Sequence, residues 1–346
     1  MSRWAVVLAG GVGSRFWPLS TPVRPKQLLP LVTDRPLLRD AFERLTPIVD
    51  PAQILVLTHA ALERALAEVL PELPRENIVV EPRPAGTAAA LVWAALDIER
   101  REGKEATMIC IHADWSIGDE KKFRSTLVRA EEIAVETRTL VTVGIIPTRP
   151  DTGFGYIQPV PGSAAAPARV KRFVEKPDRA GAVAMVKDGY LWNSGIFVWR
   201  VGDFLAEART HAKELSAALG VEPRDSAEAF FHSVRTPVSV DVGVLERSTR
   251  VTVLPGEFGW DDIGTWSALQ RVRAQDGAGN VTKGDVYVRE GADNIVHSEA
   301  GTVVMYGVNN LVVVTRDGLT LVTTSERAAD LKTLLESLPQ SLRSPT

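Results

Sequence analysis

Through the first half of the chain, short apolar runs alternate with segments whose apolar residues recur every three or four positions. AVVLA (Ala5–Ala9), ILVL (Ile54–Leu57), IVVE (Ile78–Glu81), TMICIH (Thr107–His112) and LVTVGI (Leu140–Ile145) are of the first kind and predict strands. Between them four helices are expected. One opens at Pro36 with Leu37, Leu38, Ala41, Phe42 and Leu45 on its apolar face, and the second is Ala60–Leu70. The third is an alanine-rich helix capped by Thr87 and running to Arg101, and the fourth is Glu120–Glu136. Strands apolar on both faces, separated by amphipathic helices, predict an α/β domain with a parallel sheet covered on both sides. Ligands of such sheets bind beyond the carboxyl ends of the strands, and here GGVGSR, EPRPAGT and HADWS follow those ends.

From about Tyr156 the pattern becomes richer in β-structure, with a later helix expected at Val201–Leu219. Beyond GWDDIGTWSALQRV, from Asn280 to Thr324, short valine-rich strands and glycine turns predict a small all-β unit, either coils of a β-helix or a small sandwich. An amphipathic helix, Glu326–Leu338, is expected to close it, with SLRSPT as a frayed tail. The expected division is thus a large α/β domain over 1–270 and a small β-rich domain with a final helix over 280–338.

Composition narrows the function. The 346 residues are 45% hydrophobic and 24% charged, the balance of a globular protein whose core needs no staples. The formal charge is −3 and no basic stripe runs along the chain, which argues against a nucleic-acid polymer as partner. Cys110, the one cysteine, lies in an apolar strand and reads as a buried small hydrophobe. AVVLAGG is too short for a secretory h-region, and no apolar run approaches about 18 residues, so neither a leader nor a membrane span is expected and the cytoplasm is the expected compartment.

The candidate chemistry starts in the loop after the first strand, LAGGVGSRFWPLSTPVRPKQ. It is not a dinucleotide fingerprint, because Phe16 stands where a small residue is needed, and it is not a P-loop, because no glycine precedes Lys-Ser or Lys-Thr. It still has what a nucleoside triphosphate needs. Gly10, Gly11 and Gly13 let backbone N–H groups approach phosphate oxygens, Arg15 offers a bidentate fork, and Lys26, after Arg24 and Pro25, a compact charge. Asp114, past the strand that carries Cys110, is placed to hold Mg²⁺, which takes one or two carboxylates beside substrate phosphates. Gly259–Gly264 supplies two more acids, Asp261 and Asp262. Neighbouring side chains point apart, so one of the pair is expected at the metal, with Asp261 favoured and Asp262 read as a helix cap. The histidines form no metal-ligand pattern, and His112 reads as structural. Three segments suit sugar hydroxyls: DTGFGY at Asp151–Tyr156, FVEKP at Phe173–Pro177 and WNSGIF at Trp192–Phe197.

Taken together, LAGGVGSRFWPLS with PKQ, FVEKP, WNSGIF, SVDVGVLER and GWDDIGTW, in that order, resemble the sugar-nucleotide pyrophosphorylases, and within them the mannose-1-phosphate guanylyltransferase branch. The resemblance implies a Rossmann-like nucleotidyltransferase domain with a mixed, mainly parallel sheet and a β-helix-like C-terminal unit. It implies transfer of GMP from GTP to mannose 1-phosphate, giving GDP-mannose and pyrophosphate. Leu8, Gly10, Gly11, Gly13, Arg15 and Lys26 would serve the nucleotide phosphates, and Glu81, Gly86 and Thr87 its base and ribose. Asp114 and Asp261 would bind Mg²⁺. Gly153, Glu175 and Asn193 would hold the sugar, Lys176 its phosphate, and Asp241 would support them. Arg15, Lys26 and Asp114 are the expected catalytic residues. Two departures stand out: Arg83–Thr87 replaces an Arg-Asn-Thr-like stretch, and His112–Trp115 replaces Pro-Ala-Asp-His but keeps its aspartate. The segment after Asn280 is too short for the cupin isomerase domain of bifunctional members, so one activity is expected, with a homodimer through the valine-rich unit in view. Three alternatives stay open: the same chemistry on another base or sugar, a non-catalytic sugar-nucleotide sensor, and a nicotinamide dehydrogenase.

Overall fold

The computed structural model describes residues 2–11, 13–160, 166–220 and 226–343. The chain forms two compact units that interleave along the sequence: residues 1–9, 42–112 and 119–260 make the first, and residues 10–41, 113–118 and 261–346 the second. The sequence expectation drew a single boundary between 270 and 280.

The first unit is built on a nine-stranded sheet. Its strands are β1 (Arg3–Leu8), β2 (Ile54–His59), β3 (Ile78–Glu81), β4 (Thr107–His112), β5 (Leu140–Ile145), β6 (Tyr156–Pro159), β7 (Ala168–Val174), β8 (Leu191–Arg200) and β9 (Val251–Gly256). They lie in the order β3-β2-β1-β4-β8-β5-β9-β7-β6. From β3 to β4 every pair is parallel, so Leu8, Glu81 and His112 end their strands at one rim. β8 then enters antiparallel to both β4 and β5, and the sheet is mixed beyond it. β4, β5 and β8 are apolar on both faces because helices cover both. On one face the helix Thr87–Glu102 buries Leu91, Ala94, Ala95 and Ile98 in the main core, with Phe197, Trp199 and Phe204. Trp199 stacks on Phe204 at 4.2 Å between ring centroids. On the other face the helix Glu120–Thr137 buries Phe123, Leu127 and Ile133. Cys110 is wholly buried and burial pushes its thiol well above the usual range, as expected of a packing residue.

In the second unit β10 (Val281–Arg289), β11 (Ile295–Tyr306), β12 (Leu311–Arg316) and β13 (Leu319–Thr324) form a sheet in chain order. β10, β11 and β12 are parallel neighbours, as successive coils would be, and β13 returns antiparallel. Val281, Ile295, Val312 and Val314 from this sheet share one core with Phe16, Trp17, Leu19, Leu29 and Leu31 of the loop and with Ile263 and Trp266.

Several expected elements differ in detail. The helix at Ala60 begins as a 3₁₀ turn and is α-helical over Glu63–Val69. The helix at Val201 ends at His211, where the chain turns so that Leu215 and Ala218 join the core. Thr87 is the first residue of its helix rather than the cap, which is Gly86. The closing helix is Leu331–Ser337 after a 3₁₀ turn. Part of the tail expected to fray is ordered: Gln340–Arg343 is a helical turn, and the Trp17 indole donates to the Leu342 carbonyl at 3.3 Å. The last three residues of that tail, 344–346, lie outside the described residues. Among the described residues no helix is long and apolar enough to cross a membrane.

Candidate functional site

In the second unit the loop folds back on itself. Gly13 has φ 64°, and a Cβ there would lie 2.3 Å from Cβ of Lys26, so only glycine lets the two segments meet. The Ser20 hydroxyl donates to the Gly13 carbonyl at 2.7 Å and fixes the turn. Lys26 is buried to 6% exposure, yet its ammonium is satisfied: Nζ donates to Asp114 Oδ2 at 2.9 Å and to the Asp262 carbonyl at 2.6 Å. Burial raises the Asp262 carboxyl above the ordinary aspartate range; Lys26 opposes that rise, and Asp261 and Asp114 add to it. Asp261 points elsewhere. Its Oδ2 accepts from Arg271 Nε at 2.6 Å, and its Oδ1 from Arg271 Nη2 at 3.0 Å and the Ile263 N–H at 2.9 Å. Arg15 is exposed and makes no hydrogen bond or ion pair among the described residues. A Cβ at Gly264 would lie 3.4 Å from its Nη1, and Gly10 and Gly11 face open space.

In the first unit Glu81 ends β3; its carboxyl has no hydrogen-bond partner among the described residues, and burial raises it to about 7. Gly86 has φ 85°, and a Cβ there would strike the Val238 carbonyl oxygen at 2.3 Å. Thr87 Oγ1 accepts from the Val240 N–H at 3.0 Å and ties the helix start to the segment before Asp241. The Asn193 amide donates to Asp241 Oδ1 at 2.7 Å, and the Asn193 N–H donates to the Gly155 carbonyl at 2.8 Å. Asp241 opens a π-helical turn, Asp241–Leu245, at whose end the Glu246 N–H returns to the Asp241 carbonyl at 2.8 Å. Burial pushes the Asp241 carboxyl up; the Asn193 bond and His112 oppose this, and Glu175 adds to it. Glu246 is raised too, first by burial and then by Asp241 and Glu175. The unit thus holds three acids within electrostatic reach of one another beside an amide. Glu175 and Lys176 form an exposed ion pair with each other.

A family model described as nucleotidyl transferase matches residues 4–278, from the first strand past the Asp261–Asp262 pair. The chain belongs to the nucleotidyl transferase family. A mannose-1-phosphate guanylyltransferase of Escherichia coli is 36% identical over 352 residues, covering 98% of this chain and 74% of that protein. One from Klebsiella pneumoniae is 37% identical over 355 residues, with the same shares. A crystal structure named mannose-1-phosphate geranyltransferase, from Thermus thermophilus, matches 97% of this chain and 99% of its own with a TM-score of 0.89 at 33% identity. The resemblance drawn from the loop and the later motifs is borne out, and this nucleotidyl transferase is an enzyme.

Within the nucleotidyl transferase the expected residues separate. Lys26 and Asp114 meet. Asp261, the acid expected at the metal, has its carboxylate held by Arg271 and the Ile263 N–H, whereas Asp262 is the acid on which Asp114 and Lys26 act. Arg24, two residues before Lys26, is engaged in a fork with Glu299. Arg83 donates to the Phe231 carbonyl at 3.0 Å. The Gly153 N–H is taken by Asp151 Oδ1 at 2.9 Å, whereas Gly155 reaches Asn193. Sequence reasoning passes over Glu246 and gives His112 only a structural part. For Glu246 the signal is its place five residues after Asp241 in SVDVGVLER, the spacing that the π-helical turn closes with the Glu246 N–H on the Asp241 carbonyl. Among the described residues no group of three or more His, Cys, Asp or Glu is placed to hold a metal.

Proposed function

We propose that this enzyme transfers GMP from GTP to α-D-mannose 1-phosphate. A phosphate oxygen of the sugar phosphate attacks the α-phosphorus, the bond from it to the bridging oxygen breaks, and pyrophosphate leaves with the electron pair. The attacking oxygen is already anionic, so no general base is needed, and the obstacle is the meeting of two polyanions. What carries the reading is the buried Lys26 ammonium against Asp114 and Asp262 on a glycine loop, a cation and a pair of hard oxygen donors brought together from three parts of the chain. The relatives named above support the choice of base and sugar.

Asp114 and Asp262 suit Mg²⁺, which needs only one or two carboxylates when phosphates supply the rest, and the raised Asp262 carboxyl is a charge that a cation would stabilise. When bound, the ion supplies charge neutralisation at the phosphates. Lys26 and Arg15 would hold the triphosphate and take up the charge moving onto pyrophosphate. Glu81, Gly86 and Thr87 would face the base and ribose. Glu175, Asn193 and Asp241 would orient the sugar hydroxyls, and Lys176 would meet its phosphate. Lys26→Ala is expected to lower kcat by about 100- to 1000-fold with the fold intact, the scale of one lost charge-stabilising donor.

The test is pyrophosphate release with Mg²⁺ and mannose 1-phosphate under GTP, ATP, UTP, CTP and dTTP in parallel. Release led by GTP and dependent on the sugar phosphate is expected; release led by another nucleotide reassigns the base, and none at all overturns the reaction.

A further inference from the structure

The segment that carries Lys26 is held on both sides by charged side chains of the C-terminal sheet. Lys283 on β10 pairs in register with His297 on β11, and His297 with Val314 on β12. Glu299 and Arg316 lie two residues further along β11 and β12, so alternation puts them on the same face as that row. Before Lys26, Arg24 gives both of its terminal nitrogens to Glu299, at 2.8 Å each. Arg316 Nη1 donates to the Leu19 carbonyl at 2.8 Å and the Pro18 carbonyl at 3.3 Å, and its Nε stands 3.6 Å from Glu299. After Lys26, the Lys283 ammonium donates to the carbonyls of Pro30 at 2.8 Å and Thr33 at 3.0 Å. Between these anchors the chain makes only a tight Thr21–Arg24 turn and the 3₁₀ turn Lys26–Leu28.

Apolar burial already holds the segment to the core, through Leu19, Leu29 and Leu31. The polar anchors add direction. A planar guanidinium in a bidentate fork fixes an angle as well as a distance, and carbonyls held from one rigid sheet fix the backbone on either side of Lys26. We propose that Glu299, Arg316 and Lys283 are positioning residues that aim Lys26 at Asp114 and Asp262, and that Arg24 is the grip for this clamp and not a phosphate ligand. Lys26 owes its place to the loop backbone, since it is from this loop setting that Nζ reaches Asp114 and the Asp262 carbonyl.

The inference rests on the proposed reaction for its activity readout, so wild-type pyrophosphate release is measured first; its absence would sink that reaction and leave the clamp to the second readout. In the active enzyme, Glu299→Gln and Arg24→Gln are each expected to lower kcat about tenfold with KM for GTP changed less than twofold. The double variant should be no worse than either single, as for two ends of one contact. In a Lys26→Ala background, Glu299→Gln should cost nothing further. The second readout needs no substrate: amide hydrogen exchange in Glu299→Gln should quicken over residues 18–34 and stay unchanged in the nine-stranded sheet. Wild-type kcat in both single variants, an equal loss with Lys26 absent, or unchanged exchange over 18–34 would overturn the proposal.

Discussion

Asp261 and Asp262 are chain neighbours with opposite surroundings, and the difference decides what each substitution does. Asp261 neutralises the Arg271 fork, so Asp261→Asn leaves a partly buried guanidinium short of its charge partner, at about 1–3 kcal/mol of stability, with kcat nearly kept. Asp262 is strained by its own burial and by Asp114, so Asp262→Asn is expected to keep or raise the melting temperature while lowering kcat about 100-fold or more. Melting curves and kcat on both variants check this; the reverse pattern would return the metal to Asp261. Glu81 permits a sharper pH test. Its folded value of about 7 lies above the ordinary value of 4.5, so its favourable contribution is whole below about 4.5 and is lost as pH rises through 7. Glu81→Gln should therefore be more stable to unfolding than wild type at pH 8, by roughly 3 kcal/mol at most, and the gap should close by pH 4. On the proposed placement of Glu81 at the base, a carboxylate accepts from both N–H groups of guanine's edge, whereas an amide offers one donor and one acceptor and matches xanthine. The same variant should then lose GTP and gain xanthosine triphosphate; unchanged nucleotide preference would remove Glu81 from the base.

Elements show why some of this was legible in the sequence. β3, β4 and β5 run over the residues expected; β4 and β5 do so because a strand buried on both faces writes itself as an unbroken apolar run. The direction of β8 is not written that way: LWNSGIFVWR is equally apolar whichever way it lies, and only its long connections turn it antiparallel. That neighbouring aspartates diverge follows from backbone geometry, but which one stays available depends on Arg271, one helix further on. β11 holds a feature that periodicity shows only as an alternation. His297 is buried, its Nδ1 has no hydrogen-bond partner among the described residues, and its ring meets Trp266 edge-on at 6.3 Å. Burial, with Arg273, Lys283 and Arg24 nearby and Glu299 opposing them, depresses it to about 4. The fold therefore holds neutral imidazole, while the unfolded chain takes up a proton below about 6.5. Stability is whole above that pH and falls as pH drops toward 4, by on the order of 3 kcal/mol. Denaturant titrations at pH 7 and pH 4.5 should show the loss in wild type and a smaller one in His297→Gln; equal losses would place the acid sensitivity elsewhere.

At the scale of the molecule, the interleaving of the two units cannot be read from local pattern, because it joins segments hundreds of residues apart. It also bears on what the C-terminal sheet is for. The family match ends at residue 278, which invites treating the rest as an appendage. The core of the second unit says otherwise: Phe16, Trp17, Leu19, Leu29 and Leu31 of the glycine loop are buried together with Val281, Ile295, Val312 and Val314. Four buried aliphatic side chains at about 1.5–3 kcal/mol each amount to the whole net stability of an ordinary domain, about 5–15 kcal/mol. A chain ending at Ala278 should therefore leave residues 10–41 without apolar cover, open to protease, and without activity, however well the nine-stranded sheet survives. Limited proteolysis with mass mapping checks this. Early cuts within 10–41 in the shortened chain, and protection of the same segment in the full one, are expected. A shortened chain as resistant as the full one would show that the loop folds on the first 278 residues alone.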